Sequence, residues 1–144
     1  MGRIRMMTKM GVAVMAGAIA TQAAAATELF QRLSPEARDL AGMRWEKRPV
    51  LIFASSGEDP DYRRQMTLLQ QAAQALAERD IVVLSDLDPR TPSPLRQGFQ
   101  PAGFKLVLVG KDGGVKLEQD SVLSPDELFA VIDRMPMRMR EAAE

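Results

Sequence analysis

Three short, predominantly apolar runs mark the chain after residue 49: VLIFA, which is continuous, IVVLSDL at Ile81–Leu87 and FKLVLVG at Phe104–Gly110. Runs of this length without polar alternation are what a strand buried on both faces requires. Between the first two, Tyr62, Met66, Leu69, Ala73 and Leu76 recur at spacings of four, three, four and three, while Arg63, Arg64, Gln70 and Gln74 lie off that stripe. The pattern predicts one amphipathic helix of about five turns that starts at Asp59-Pro60, with Asp as the cap and Pro in the first helical position. Strand, helix and strand make a βαβ unit with parallel strands and a right-handed crossover.

The third run is followed by KDGG and the alternating VKLEQD, which reads as a hairpin in which Lys111 and Asp112 serve the turn. Ser124-Pro125-Asp126-Glu127 then opens a last helix with a capping box, and Leu128, Phe129, Val131 and Ile132 give it an apolar face. Ahead of the first strand, SPEARDLAGMRW from Ser34 reads as a short helix. The stretch 88–103, with four prolines and two glycines, reads as a long surface loop.

Residues 1–26 have the three parts of a secretory signal: a basic MGRIRMMTK, an apolar run from Met10 to Ala20, and small residues ending in TQAAAAT. Cleavage is expected after Ala24 to Ala26. The competing reading, a membrane anchor, needs roughly 20 apolar residues, and this run is shorter and rich in Ala. The expected divisions are thus a signal peptide at 1–26, a helical lead-in at 27–47, one α/β domain at 48–138 and a tail at 139–144. A periplasmic or secreted location follows, with no stable membrane insertion after cleavage.

Composition narrows the chemistry. The chain has no cysteine and no histidine, so it has no thiol for disulfide exchange and no imidazole for general-base work. Lys plus Arg and Asp plus Glu each total 19, but Arg3, Arg5 and Lys9 fall in the signal, which leaves 16 against 19 in the rest. A slightly acidic domain offers no basic field for a phosphate backbone, so nucleic acid is not an expected partner.

Ser55, Ser56, Gly57 and Asp59 form the candidate binding loop. Hydroxyls and a glycine ahead of a helix N-terminus suit a small anion or a peptide carboxylate. The same residues are also what a strand-to-helix turn demands, and Asp59 competes with any incoming anion. A serine nucleophile here would need a lysine or carboxylate base, and no motif pairs them. Glu58, Asp59, Asp61, Asp86 and Asp88 match no metal-loop spacing and read as caps or solvated turns. Met135, Met137 and Met139 alternate with arginines, which is poor for a soft metal and ordinary for packing. No cofactor and no metal is expected.

The element order, βαβ joined to ββα, resembles the thioredoxin-like architecture. That resemblance implies a three-layer α/β/α sandwich around a mixed four-stranded sheet in the order 4-3-1-2, with the third strand antiparallel. In active thioredoxins the redox cysteines lie between the first strand and its helix; the equivalent stretch here, Ser55 to Pro60, contains none. The usual proline before the third strand is also unmatched, since Gly103 precedes Phe104 and Pro101 is displaced. RPVLIFA (48–54), LVGKDGGVKL (108–117) and LFAVIDRMPMR (128–138) together resemble the thioredoxin-like family called domain of unknown function 4174, for which no activity carries over. The reading that follows is a redox-inactive thioredoxin-like module that binds an envelope protein or peptide through Ser55–Pro60 and the 88–103 loop. Its rival is an unusual hydrolase or transferase using Ser55 or Ser56 with a lysine.

Overall fold

The computed structural model describes residues 29–144; the signal-peptide reading lies outside them. The strands are β1 (Phe30–Arg32), β2 (Arg48–Phe53), β3 (Ile81–Asp86), β4 (Lys105–Val109) and β5 (Val115–Gln119). The α-helices are α1 (Pro60–Gln71), α2 (Ala73–Glu78), α3 (Pro94–Phe99), α4 (Pro125–Asp133) and α5 (Pro136–Ala143). The sheet order is β1-β3-β2-β4-β5. β2 is parallel to β3 with Val50 beside Val83, and antiparallel to β4 with Val50 beside Leu108. The four expected strands therefore take the expected order, and a fifth, β1, adds to the β3 edge in parallel. Three residues with one half-buried apolar side chain give β1 no legible period, so the sequence conceals it.

Alternation along the central strands splits the core. Val50, Ile52, Val83, Leu106 and Leu108 face α1, α2 and α4, where Leu69, Leu76, Leu128 and Ile132 meet them. Each such fully buried aliphatic side chain contributes about 1.5–3 kcal/mol. Leu51, Phe53, Val82, Leu84, Val107 and Val109 point the other way, under a thinner cover of Leu33, Leu40, Met43 and Phe99. Among the described residues, α3 and an irregular strap over residues 33–47 supply that cover.

Several local expectations are corrected. The helix of five turns is two helices, broken at Ala72, whose φ of −105° and ψ of 20° leave the helical well. Gln65, polar and off the apolar stripe, is fully buried because its amide clamps Leu123 from both sides: Nε2 donates to the Leu123 carbonyl at 2.9 Å and Oε1 accepts from the Leu123 N–H at 2.8 Å. The SPEARDLAGMRW segment is not an α-helix. Ser34 Oγ accepts from the Glu36 N–H and Asp39 Oδ1 from the Ala41 N–H, local bonds that favour turns, and a single 3-10 turn at Ala41–Met43 follows. The 88–103 loop contains α3, capped by Ser93 Oγ, which accepts from the Arg96 N–H at 3.1 Å. In α4, Ser124 Oγ accepts from the Glu127 N–H, but the return bond that would complete a capping box is not made. The expected tail from 139 is the second half of α5.

Candidate functional site

The sheet has two ends of interest, separated by the roughly 20 Å length of β2. At its C-terminal end β2 passes into the candidate loop. Ser55, Ser56 and Gly57 are exposed and Asp59 is half-buried. Asp59 Oδ1 accepts from the Asp61 N–H at 2.9 Å and the Tyr62 N–H at 3.2 Å, so the first turn of α1 is occupied by the protein's own carboxylate. Ser56 Oγ accepts from the Glu58 N–H at 3.1 Å, which orders the turn. The loop is thus an exposed, internally bonded turn and not an open anion cradle.

Behind it lies a feature the sequence reading missed. Arg96 of α3 is buried, and its Nε donates to Asp86 Oδ1 at 3.1 Å. Its Nη2 donates to the carbonyls of Ala54 at 2.7 Å and Asp86 at 2.9 Å. Ser93 Oγ donates to the other oxygen of Asp86 at 2.9 Å, and the guanidinium lies 5.6 Å from the Phe53 ring centroid. Asp86 is therefore a buried ion-pair partner, not the solvated turn residue expected. One arginine bonds the last residue before the candidate loop, the end of β3 and α3, so the two segments expected to share a surface are fixed to one frame. The Ser93-Pro94 pair, the same cap signature as Ser124-Pro125, was the available signal for α3; nothing in the sequence marks Arg96 as buried.

Among the described residues no lysine hydrogen bonds to Ser55 or Ser56. Lys105 Nζ donates to Glu118 at 2.8 Å, Lys111 to Asp80 and Glu141, and Lys116 to Asp112. Each ammonium is held by carboxylates, which raises the affinity of Lys105 and Lys111 for their protons and removes them as bases. The expected roles of other acids hold in part. Asp88 Oδ1 accepts from the Arg90 N–H, which lowers its carboxyl pKa, and Asp112 Oδ1 accepts from the Gly114 N–H within the hairpin turn.

At the opposite end of β2, Lys111 departs from its expected turn role. Its Nζ is buried between Asp80 Oδ2 at 2.7 Å and Glu141 Oε2 at 2.9 Å. Glu141 also takes two bonds from the guanidinium of Arg48, at 3.2 and 3.1 Å, and Arg48 is 1% exposed. Arg48 Nη1 donates further to the Arg79 carbonyl at 2.8 Å. Helix α5 has no buried residue, so this ionic clasp is its principal attachment to the sheet. Arg79 completes the arrangement with a two-point pair to Asp133, at 2.9 and 3.0 Å, and sits 4.2 Å over the Phe129 ring.

Comparison with solved structures places the fold. A Plasmodium vivax 2-Cys peroxiredoxin in its reduced form aligns with a TM-score of 0.55 at 16% identity, covering 70% of this chain and 84% of that one. Thioredoxin-2, a component of the malaria parasite protein secretion machinery, aligns with a TM-score of 0.51 at 19% identity, over 62% and 84% of the two chains. A Plasmodium yoelii thioredoxin peroxidase I gives a TM-score of 0.51 at 16% identity, over 70% and 79%. At these identities the likeness establishes a thioredoxin-like fold, here without any cysteine. The model of one family, described as Domain of unknown function (DUF4174), matches residues 39–141, from the strap through β2, the hairpin and the ionic clasp to Glu141. By that match the chain belongs to the DUF4174 family.

Proposed function

We propose that this protein is a redox-inactive binding module of the bacterial cell envelope, exported by the signal at 1–26, that recognises a protein or peptide through the Ser55–Pro60 turn and the neighbouring α3 segment. The observation that carries this reading is the Arg96 frame. Three hydrogen bonds from the Arg96 side chain and one from the Ser93 hydroxyl join α3 to the end of β3 and to Ala54, the residue that leads into the exposed turn, at a strand end that carries no thiol. A rigid, exposed and chemically quiet surface suits recognition, because little conformational freedom is lost on contact. A chain without histidine, and with no lysine bonded to Ser55 or Ser56 among the described residues, gives the hydrolase reading little support.

A photo-crosslinking residue at Ser56, with a second copy of the protein carrying it at exposed Gln74, tests this in living cells. Discrete adducts from position 56, absent from position 74 and lost when Pro94 and Leu95 are both changed to Gly, are expected. Adducts that appear equally from both positions, or from neither, would remove the turn as a recognition surface. The mass of the protein recovered from the envelope fraction checks the export step: a start between residues 25 and 27 is expected, and retention of the full N-terminus would sink it.

A further inference from the structure

A cleft lies at the other end of β2, against the ionic clasp. It has a volume of about 590 Å³ and is lined by Trp45, Arg48, Lys116, Val131, Arg134 and Met137, among others. Four observations about it converge. Trp45 is 60% exposed at a backbone φ of 70°, unfavourable for a bulky side chain, and its N–H is pinned to the Lys111 carbonyl at 2.6 Å. Arg48, almost wholly buried beneath the cleft, has an Nε–H with no hydrogen-bond partner. Helix α5 begins at the rim with Pro136, which has no N–H, and no side chain caps it, so the N–H groups of Met137 and Arg138 are left without a capping partner. Finally, the cations around the cleft exceed the carboxylates by one. Arg48 and Lys111 are matched by Glu141 and Asp80, and Lys116 by Asp112, whereas Arg134 bonds only the Ala130 carbonyl.

We propose that this cleft binds the carboxylate of an apolar monoanion, with the carboxylate facing Arg134, Lys116 and the open start of α5, and the apolar group against Trp45, Val131 and Met137. One unmatched cation and one uncapped helix start suit a single negative charge. An exposed aromatic face beside an aliphatic wall suits a hydrocarbon or aryl group. Two sources carry this chemistry: a small organic acid, or the C-terminal residue of a peptide. The site goes beyond the recognition turn and is independent of it, since the two are at opposite ends of β2.

Trp45 is the chain's sole tryptophan, so its emission reports on this cleft alone. The purified protein is titrated with phenylbutyrate, with an N-acetylated tripeptide ending in free leucine, with the amide of each, and with inorganic phosphate. A saturable change in emission with at least one acid is expected, with its amide about tenfold weaker. Arg134→Gln is expected to weaken the acid by a similar factor, and Gln74→Ala, at an exposed position outside both the cleft and the recognition turn, to leave it unchanged. Binding of the tripeptide alone identifies a peptide end as the source, and binding of phenylbutyrate alone a free acid. Calorimetry on Trp45→Ala separates loss of signal from loss of binding. Amides that bind as tightly as acids, phosphate that binds as tightly as either, Arg134→Gln and Lys116→Gln variants that bind like the parent, or no saturable binding by calorimetry would each overturn the proposal.

Discussion

Replacing Arg96 by methionine is expected to cost about 3–5 kcal/mol of folding stability, the range for removing one member of a buried ion pair. Methionine fills much of the arginine's volume, so the loss is electrostatic and not a cavity effect. Asp86 would remain buried with Ser93 as its one side-chain partner, and the carbonyl of Ala54 would lose its donor at the point where β2 becomes the Ser55–Pro60 turn. A loss of that size is a large share of the 5–15 kcal/mol typical of a small domain. Urea unfolding measures it as a lower midpoint with an unchanged slope. The charge argument is isolated by the double variant Arg96→Met with Asp86→Asn, which removes the orphaned charge and is expected to recover more than half of the loss. A single variant within about 1 kcal/mol of the parent, or a double variant no better than the single, would show that the pair does not hold this end of the sheet.

Removing the carboxylate of Glu141 strikes the other end. Glu141→Ala leaves Arg48 and Lys111 buried with Asp80 as the remaining carboxylate, and about 2–4 kcal/mol is expected to be lost, somewhat below a fully buried pair because Glu141 is a quarter exposed. The variant also has a pH signature. Burial raises the Glu141 carboxyl, but the bonds from Arg48 and Lys111 outweigh it and hold the group below its ordinary 4.5. A carboxyl lowered by folding stabilises at pH above that ordinary value, and the contribution disappears as pH falls through the folded value. Lys111 runs in the opposite sense. Burial lowers it, the bonds to Asp80 and Glu141 raise it more, and the net position is above 10.5. Its contribution is complete below 10.5 and is lost as pH climbs through the folded value. The parent should therefore lose stability on acidification below 4.5 more steeply than Glu141→Ala. Parallel acid limbs for the two proteins, followed by urea midpoint against pH, would contradict the clasp.

The central strands were legible because burial on both faces demands predominantly apolar runs, and VLIFA, IVVLSD and KLVLV have no competing helical period. The caps at Asp59, Ser93 and Ser124 were equally written in the residues, although the second was overlooked inside a proline-rich stretch that reads as loop. What escaped is of one kind. Gln65, Arg96, Arg48 and Lys111 are polar side chains whose burial depends on partners 58, 10, 93 and 30 positions away, respectively Leu123, Asp86, Glu141 and Glu141 again. Local periodicity assigns such residues to solvent, and only the three-dimensional pairing reveals them. The candidate loop shows the converse: Ser55, Ser56 and Asp59 occupy the predicted turn, yet the free donors that suggested an anion site are already engaged by Asp59. The resemblance to thioredoxin-like proteins supplied the strand order but not β1, which lies outside the core of that pattern.

The unequal cover on the two sides of the sheet has a dynamic consequence. One side is sealed by three helices and the other by α3 and the 33–47 strap, whose apolar contacts are Leu33, Leu40 and Met43 and whose ends are tied by backbone bonds from Leu33 to Ser85 and from Trp45 to Lys111. Fewer buried contacts mean a smaller free energy for local opening, so the strap can lift while the sheet stays intact. In deuterated water its amides should exchange well before those of β2 and β4, and a protease should nick it first, leaving a truncated remnant that still holds its secondary structure.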